Sequence, residues 1–155
     1  MPCQRNLRVL FDANVFLDIA KSETTNTRSE ELDKVIREYH YVIKSKRLLK
    51  HYAGAIHNAL HVDAVILMRA VIDKLEIQRP KRTKKINDRL AERHDIGFPV
   101  HSDDHFLYQL AIESRAQCGV LFVSNDPGQT QNSALMQTRY NIPIVDSEDY
   151  ISNYC

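Results

Sequence analysis

Asp12, Asp103, Asp104 and Asp126 are short carboxylates placed where one kind of segment gives way to another. Asp12 follows the mostly apolar run 7–11, Asp103 and Asp104 precede the apolar-periodic stretch 106–111, and Asp126 follows the run 120–123 with Ser124 and Asn125 between. Taken singly, each suits a helix cap or a turn. A short carboxylate accepts backbone N–H groups at the positive end of a helix, and Asp126 leads into Pro127-Gly128, an ordinary turn pair. Gathered in one place, they would repel one another, so a site that collects them usually holds a cation. Oxygen ligands that leave room for water and phosphate suit Mg²⁺ or Mn²⁺.

The histidines carry less signal. His57 and His61 share a helix face at i, i+4, but Asn58, Ala59 and Leu60 lie between them and no Glu completes an HExxH pattern. His40, His94, His101 and His105 have no partner at ligand spacing. Two basic segments are candidate phosphate-binding patches. One is the run 79–85 with Arg79, Lys81, Arg82, Lys84 and Lys85; the other holds Lys44, Lys46, Arg47 and Lys50. The commoner fate of such a run is a solvated loop or helix start. Tyr39 and Tyr41 can stack on bases or pack at a strand.

The elements that position these residues follow from periodicity. Residues 7–11, 41–43, 120–123 and 143–145 read as short strands, and the continuously apolar 120–123 reads as buried on both faces. A helix is expected from about Val15 to Lys21, a second one capped by Thr27, and a third capped by Ser45. Ile56, Leu60, Ala64, Leu67 and Val71 mark one face of a long helix. A charged helix is expected after the run 79–85, to about Arg93, and a short helical turn at 148–151. Strands alternating with helices imply a three-layer α/β/α sandwich with a mostly parallel sheet of four or five strands. Ligands bind such folds outside the carboxyl ends of the strands. Asp12 and Asp126 fall there, and a crossover connection can bring the helix start at 103–104 to the same edge.

The 155 residues fit one domain, 1–155, and the 43% hydrophobic content can fill its core. Lys plus Arg is 21 and Asp plus Glu is 20, a net charge of +1, which does not indicate binding of nucleic acid by bulk charge and points to a local patch instead. Cys3, Cys118 and Cys155 form neither a disulfide framework nor a metal pair. With no apolar spanning run and no leader-like N-terminus, a cytoplasmic protein with no membrane partner is expected.

Residues 10–18, Leu-Phe-Asp-Ala-Asn-Val-Phe-Leu-Asp, resemble the opening of a PIN domain. The stretch 101–107, with Ala111 beyond it, is similar to that family's central acidic motif, and 122–126 resembles its strand followed by Ser or Thr, any residue, and Asp. Residues 142–145 with Glu148 and Tyr150 are similar to its last strand and short helix. The similarity runs through essentially the whole chain in order. It implies an endoribonuclease dependent on Mg²⁺ or Mn²⁺, with Asp12, Asp104 and Asp126 as catalytic metal ligands. Asn14 and Ser124 would support those carboxylates, with Asp103 as an alternative to Asp104. Water would attack in line, leaving a 5′-phosphate and a 3′-hydroxyl. The implied partners are RNA and, for a toxin component, an antitoxin, or otherwise an RNA-processing partner or a second copy in a homodimer.

The chain departs from the family at one place. Many PIN domains carry a Glu before a Tyr in the helix after the second strand, and here His51 precedes Tyr52. His51 can ligate metal, bind phosphate as a cation, act as acid or base, mark lost catalysis, or be an ordinary surface or satisfied helical histidine. Glu30, Glu31 or Asp63 are the acids that could replace the missing charge. The alternative to a nuclease is therefore a catalytically weak or inactive PIN-like RNA-binding or scaffold protein. A phosphatase of the haloacid-dehalogenase type also opens on an apolar strand and Asp, but it expects an acid where this chain has Asn14.

Overall fold

The computed structural model describes residues 6–21, 40–59, 62–69, 80–115 and 119–154. Its centre is a sheet of five strands: β1 (Arg8–Phe11), β2 (Tyr41–Lys44), β3 (Thr83–Lys85), β4 (Val120–Val123) and β5 (Ile144–Val145). They run in the order β3-β2-β1-β4-β5, and every neighbouring pair is parallel. β4 is buried at all four positions and β1 at its last three, as expected of inner strands covered on both faces. The register runs from Arg8↔Val120 to Phe11↔Val123, so β1 and β4 end level. Connections leave β1 toward β2 and β3 on one side and β4 toward β5 on the other. The reversal, and hence the expected ligand crevice, falls between the carboxyl ends of β1 and β4.

Helices complete a three-layer α/β/α sandwich. On one side α1 (Ala13–Lys21), α2 (Lys46–Ala59) and α3 (Val62–Arg69) pack on one another. α5 (His105–Ser114) lies against β1 and β4, with α4 (Asp88–Ala91) beside it. α6 (Pro127–Thr130) and α7 (Ser133–Tyr140) flank β5, and α8 (Ser147–Asn153) follows that strand. Phe11 packs against Phe16 of α1 at 5.8 Å and edge-on to Tyr150 of α8 at 5.6 Å. Phe122 lies opposite Leu10 and so points to the other face, where it meets Tyr108 of α5 at 5.5 Å. These rings and the fully buried Tyr52 carry the core, at roughly 1.5–3 kcal/mol for each large apolar side chain taken from water.

Ser45 caps α2 as its sequence suggests, its Oγ accepting from the Leu48 amide at 3.0 Å. Three expectations differ. The apolar face beginning at Ile56 is divided between α2 and α3, with 60 and 61 outside the described residues. The basic run holds a 3₁₀ turn (Pro80–Arg82) and the edge strand β3, and α4 after it is one short turn. β3 pairs with β2 over three residues despite the low strand propensity of lysine, because an edge strand leaves its side chains in water. Pro127 begins a helix instead of a turn, because Asp126 caps it. The expected helix after Thr27, the acids Glu30 and Glu31, and Tyr39, His61 and Arg79 lie outside the described residues, as does the side chain of Asp63. No described helix is long and apolar enough to cross a membrane.

Candidate active site

Asp12 is the first residue past β1 and is 6% exposed. A carboxylate so deep needs donors. Ser124, at the end of β4, donates its hydroxyl to Asp12 Oδ2 at 2.9 Å, and Asn14 Nδ2 approaches the same oxygen at 3.5 Å and Ser124 Oγ at 3.4 Å. The β1–β4 register makes this possible, since the two strands end side by side. Asn14 Oδ1 in turn accepts from the Asn125 amide at 3.0 Å, and Asn125 Oδ1 accepts from the Ser147 amide at 2.8 Å. One polar chain thus ties the starts of α1 and α8 to the end of β4.

Ser124 Oγ also accepts from the Asp126 amide at 3.2 Å. Asp126 caps α6, with its Oδ1 accepting from the Gly128 amide at 2.9 Å. Asp104 precedes α5 but makes no side-chain cap bond there. Its pKa is raised, first by burial, then by the charge of Asp12, with Asp126 adding a smaller push. A hydrogen bond from Gln129 and the positive potential of His101 oppose the rise. Asp104 is therefore the member of the doublet that feels both other acids. Asp103 is 88% exposed at its side chain and lies 3.7 Å from His101 Nδ1.

Gln129, 3% exposed, accepts the Tyr108 hydroxyl proton, and that hydroxyl accepts from Asn132 Nδ2 at 3.0 Å. With its oxygen taken by Tyr108, Gln129 has its amide N–H left for Asp104. Burial raises the Tyr108 pKa, and the charges of Asp104, Asp12 and Asp126 push it the same way. Gln129, Tyr108, Asn132 and Asn125 are not among the residues expected at the site from sequence. A signal existed for two of them. Tyr108 is four residues beyond Asp104 on one helix face, and Asp126-Pro127 marks a capped helix start that puts Gln129 in its first turn.

His51, in the second turn of α2, lies with Nε2 at 3.4 Å from Asp12 Oδ1. Its ring meets Phe106 edge-on at 5.2 Å. Tyr52 donates its hydroxyl to the Phe11 carbonyl, which fixes α2 over the end of β1. A cleft of about 570 Å³ opens beside the acids, lined by Asp103, Asp104, Asp126, Gln129 and Asn132 among others. Asp12 has both oxygens facing donors already, and Asp126 spends one on its cap. Among the described residues no three His, Cys, Asp or Glu side chains are arranged to hold a metal ion.

The basic candidates differ in their surroundings. Arg82 and Lys84 lie over the Tyr41 ring at 5.2 and 4.6 Å. Arg47 covers Phe106 at 4.7 Å and approaches Glu92 at 3.5 Å. Lys46 and Lys85 line a second cleft, and Lys81 is exposed on the 3₁₀ turn. The fold and site define a small α/β domain with a parallel sheet flanked by helices and polar groups gathered at its switch point. Compared with known proteins, the chain matches no family profile and no curated sequence.

Proposed function

We propose that this chain is a PIN-like endoribonuclease that hydrolyses RNA phosphodiester bonds with Mg²⁺ or Mn²⁺. The observation that carries the reading is that Ser124 joins the Asp12 carboxylate to the Asp126 amide at the ends of β1 and β4, while Asp104 and Asp126 line one cleft beside them. Asp12, Asp104 and Asp126 come from three separate segments at this edge of the sheet, and repulsion among them is what a divalent cation would relieve. Asp12, Asp104 and Asp126 would offer such an ion an all-oxygen donor set, although among the described residues no three such side chains stand ready to hold one. When bound, it supplies an activated water and neutralises charge on the phosphoryl group. The chain's own contribution is positional. Ser124 and Asn14 fix Asp12, Gln129 fixes Asp104, and the α6 cap fixes Asp126.

A second reading, an RNA-binding protein with weak or no catalysis, is favoured by one contact. His51 stands against Asp12 where the resemblance leads one to expect a Glu. RNA cleavage with Mn²⁺ or Mg²⁺ separates the two. The nuclease reading requires product formation that is lost with EDTA and in Asp12→Asn. Binding of RNA without cleavage under any divalent ion selects the second reading.

A further inference from the structure

The two basic segments, far apart in sequence, meet in one place. Lys46 is the first residue of α2, Lys85 the last of β3, and Arg89 belongs to α4. All three line a cleft of about 680 Å³ with Ile86, Asn87 and Asp88. The cleft lies at the carboxyl ends of β2 and β3, the same edge of the sheet as Asp12. β3 is two strands from β1, so the cleft is offset from Asp12 by roughly 10 Å, two inter-strand spacings. Neighbouring contacts join the two places: Arg47 lies on Phe106, Phe106 on His51, and His51 on Asp12.

Among the described residues no carboxylate forms an ion pair with Lys46, Lys85 or Arg89. Asp88, the one acid among the described residues that line the cleft, accepts the Arg47 amide at its Oδ2 at 3.2 Å. Strand alternation explains why Lys85 is available while Lys84 is not. The two point to opposite faces, and Lys84 is held over Tyr41. Three uncommitted cations around one acid leave the cleft net positive, at an edge whose other half is acidic.

We propose that Lys46, Lys85 and Arg89 form a phosphate-binding cleft that holds a backbone phosphate of single-stranded RNA flanking the nucleotide at the acidic site. The assignment rests on the nuclease reading for its choice of ligand. It gives the chain a way to bind a polyanion at an edge that carries three repelling acids, without a basic surface overall. Cationic contacts to phosphate release counterions, so they weaken with salt.

The test is binding of a fluorescein-labelled single-stranded RNA, read by anisotropy in EDTA across a salt series. Lys46→Ala/Lys85→Ala is compared with Arg69→Glu, which changes the net charge equally on the exposed end of α3. Thermal melts establish that both variants fold. We expect the double variant to lose affinity by about tenfold and its salt slope to become shallower by about one. Arg69→Glu should bind as the unaltered protein does. Equal losses in the two variants would show binding by bulk charge and overturn the cleft. So would an unaltered protein that does not bind RNA in EDTA. Cleft-dependent binding with no Mn²⁺-stimulated cleavage would uphold the cleft and overturn the nuclease reading. Cleavage that persists with cleft-independent binding would do the reverse.

Discussion

Ser124 does more for the site than its size suggests, because its hydroxyl donates to Asp12 and accepts from the Asp126 amide. Ser124→Ala leaves a 6%-exposed carboxylate short of its best donor. We expect a stability loss of about 1–3 kcal/mol by denaturant unfolding, whereas Asp126→Asn should be neutral or stabilising without metal, since Asn also caps well. Asp104 gives a signed pH dependence. Its folded pKa lies above the unfolded value, so its contribution to stability is full below the unfolded pKa and is lost as pH rises through the folded one. In EDTA, Asp104→Asn should therefore raise the melting temperature at pH 7, and the gain should shrink on acidification. A gain that grows toward low pH would contradict the placement of Asp104 beside Asp12 and Asp126. His51→Glu should strengthen Mn²⁺ binding by calorimetry while lowering metal-free stability, because it sets another acid against Asp12.

The loop that leads into Asp104 is tied down from α7. The Tyr140 hydroxyl shares its one proton between the Asp95 and Ile96 carbonyls, at 2.7 and 3.0 Å, and Arg139 Nη1 reaches the Ile96 carbonyl at 3.2 Å. Gly97 has φ +82°, and a Cβ there would lie 1.6 Å from Arg139 Nη1. Gly97→Ala should cost about 1–3 kcal/mol from backbone strain and the displaced arginine, measurable by urea unfolding. The strands at 7–11 and 120–123 and the helix after Asp104 were legible because continuous apolar runs and helical spacing speak directly to burial. β3 was not, since Thr83, Lys84 and Lys85 carry no apolar pattern and pair only because β2 offers them an edge. The positions of Asp12 and Asp126 just past β1 and β4 were legible from the apolar runs that precede them. The Asn132–Tyr108–Gln129–Asp104 chain was not, because it depends on how α5 and α6 face each other, which no local pattern encodes.

Two buried phenols join α2 and α8 to the sheet. Tyr52 donates to the Phe11 carbonyl, and Tyr150 is bonded to His40 at 2.7 Å. Burial raises both pKa values well above 10.0, and the charge of Asp12 adds to the effect at Tyr52. An unfolded tyrosine ionises near about 10, so these residues stabilise the fold below that pH and progressively less above it. We expect cooperative unfolding in alkali, with two phenolates appearing in the ultraviolet spectrum only as the circular dichroism is lost. Phenolates that appear before unfolding would show that those rings are reachable by hydroxide in the native fold.

Everything proposed for the site depends on Asp12, Asp104 and Asp126 acting as one set. Calorimetric titration of Mn²⁺ into the purified protein and into Asp12→Asn, Asp104→Asn and Asp126→Asn tests this most directly. If the three carboxylates share an ion, each variant should weaken Mn²⁺ binding by about tenfold or more, in line with the loss of a charged ligand from a shared site. Mn²⁺ affinity that is unchanged in any two of the three variants, or no Mn²⁺ binding by the unaltered protein, would contradict it.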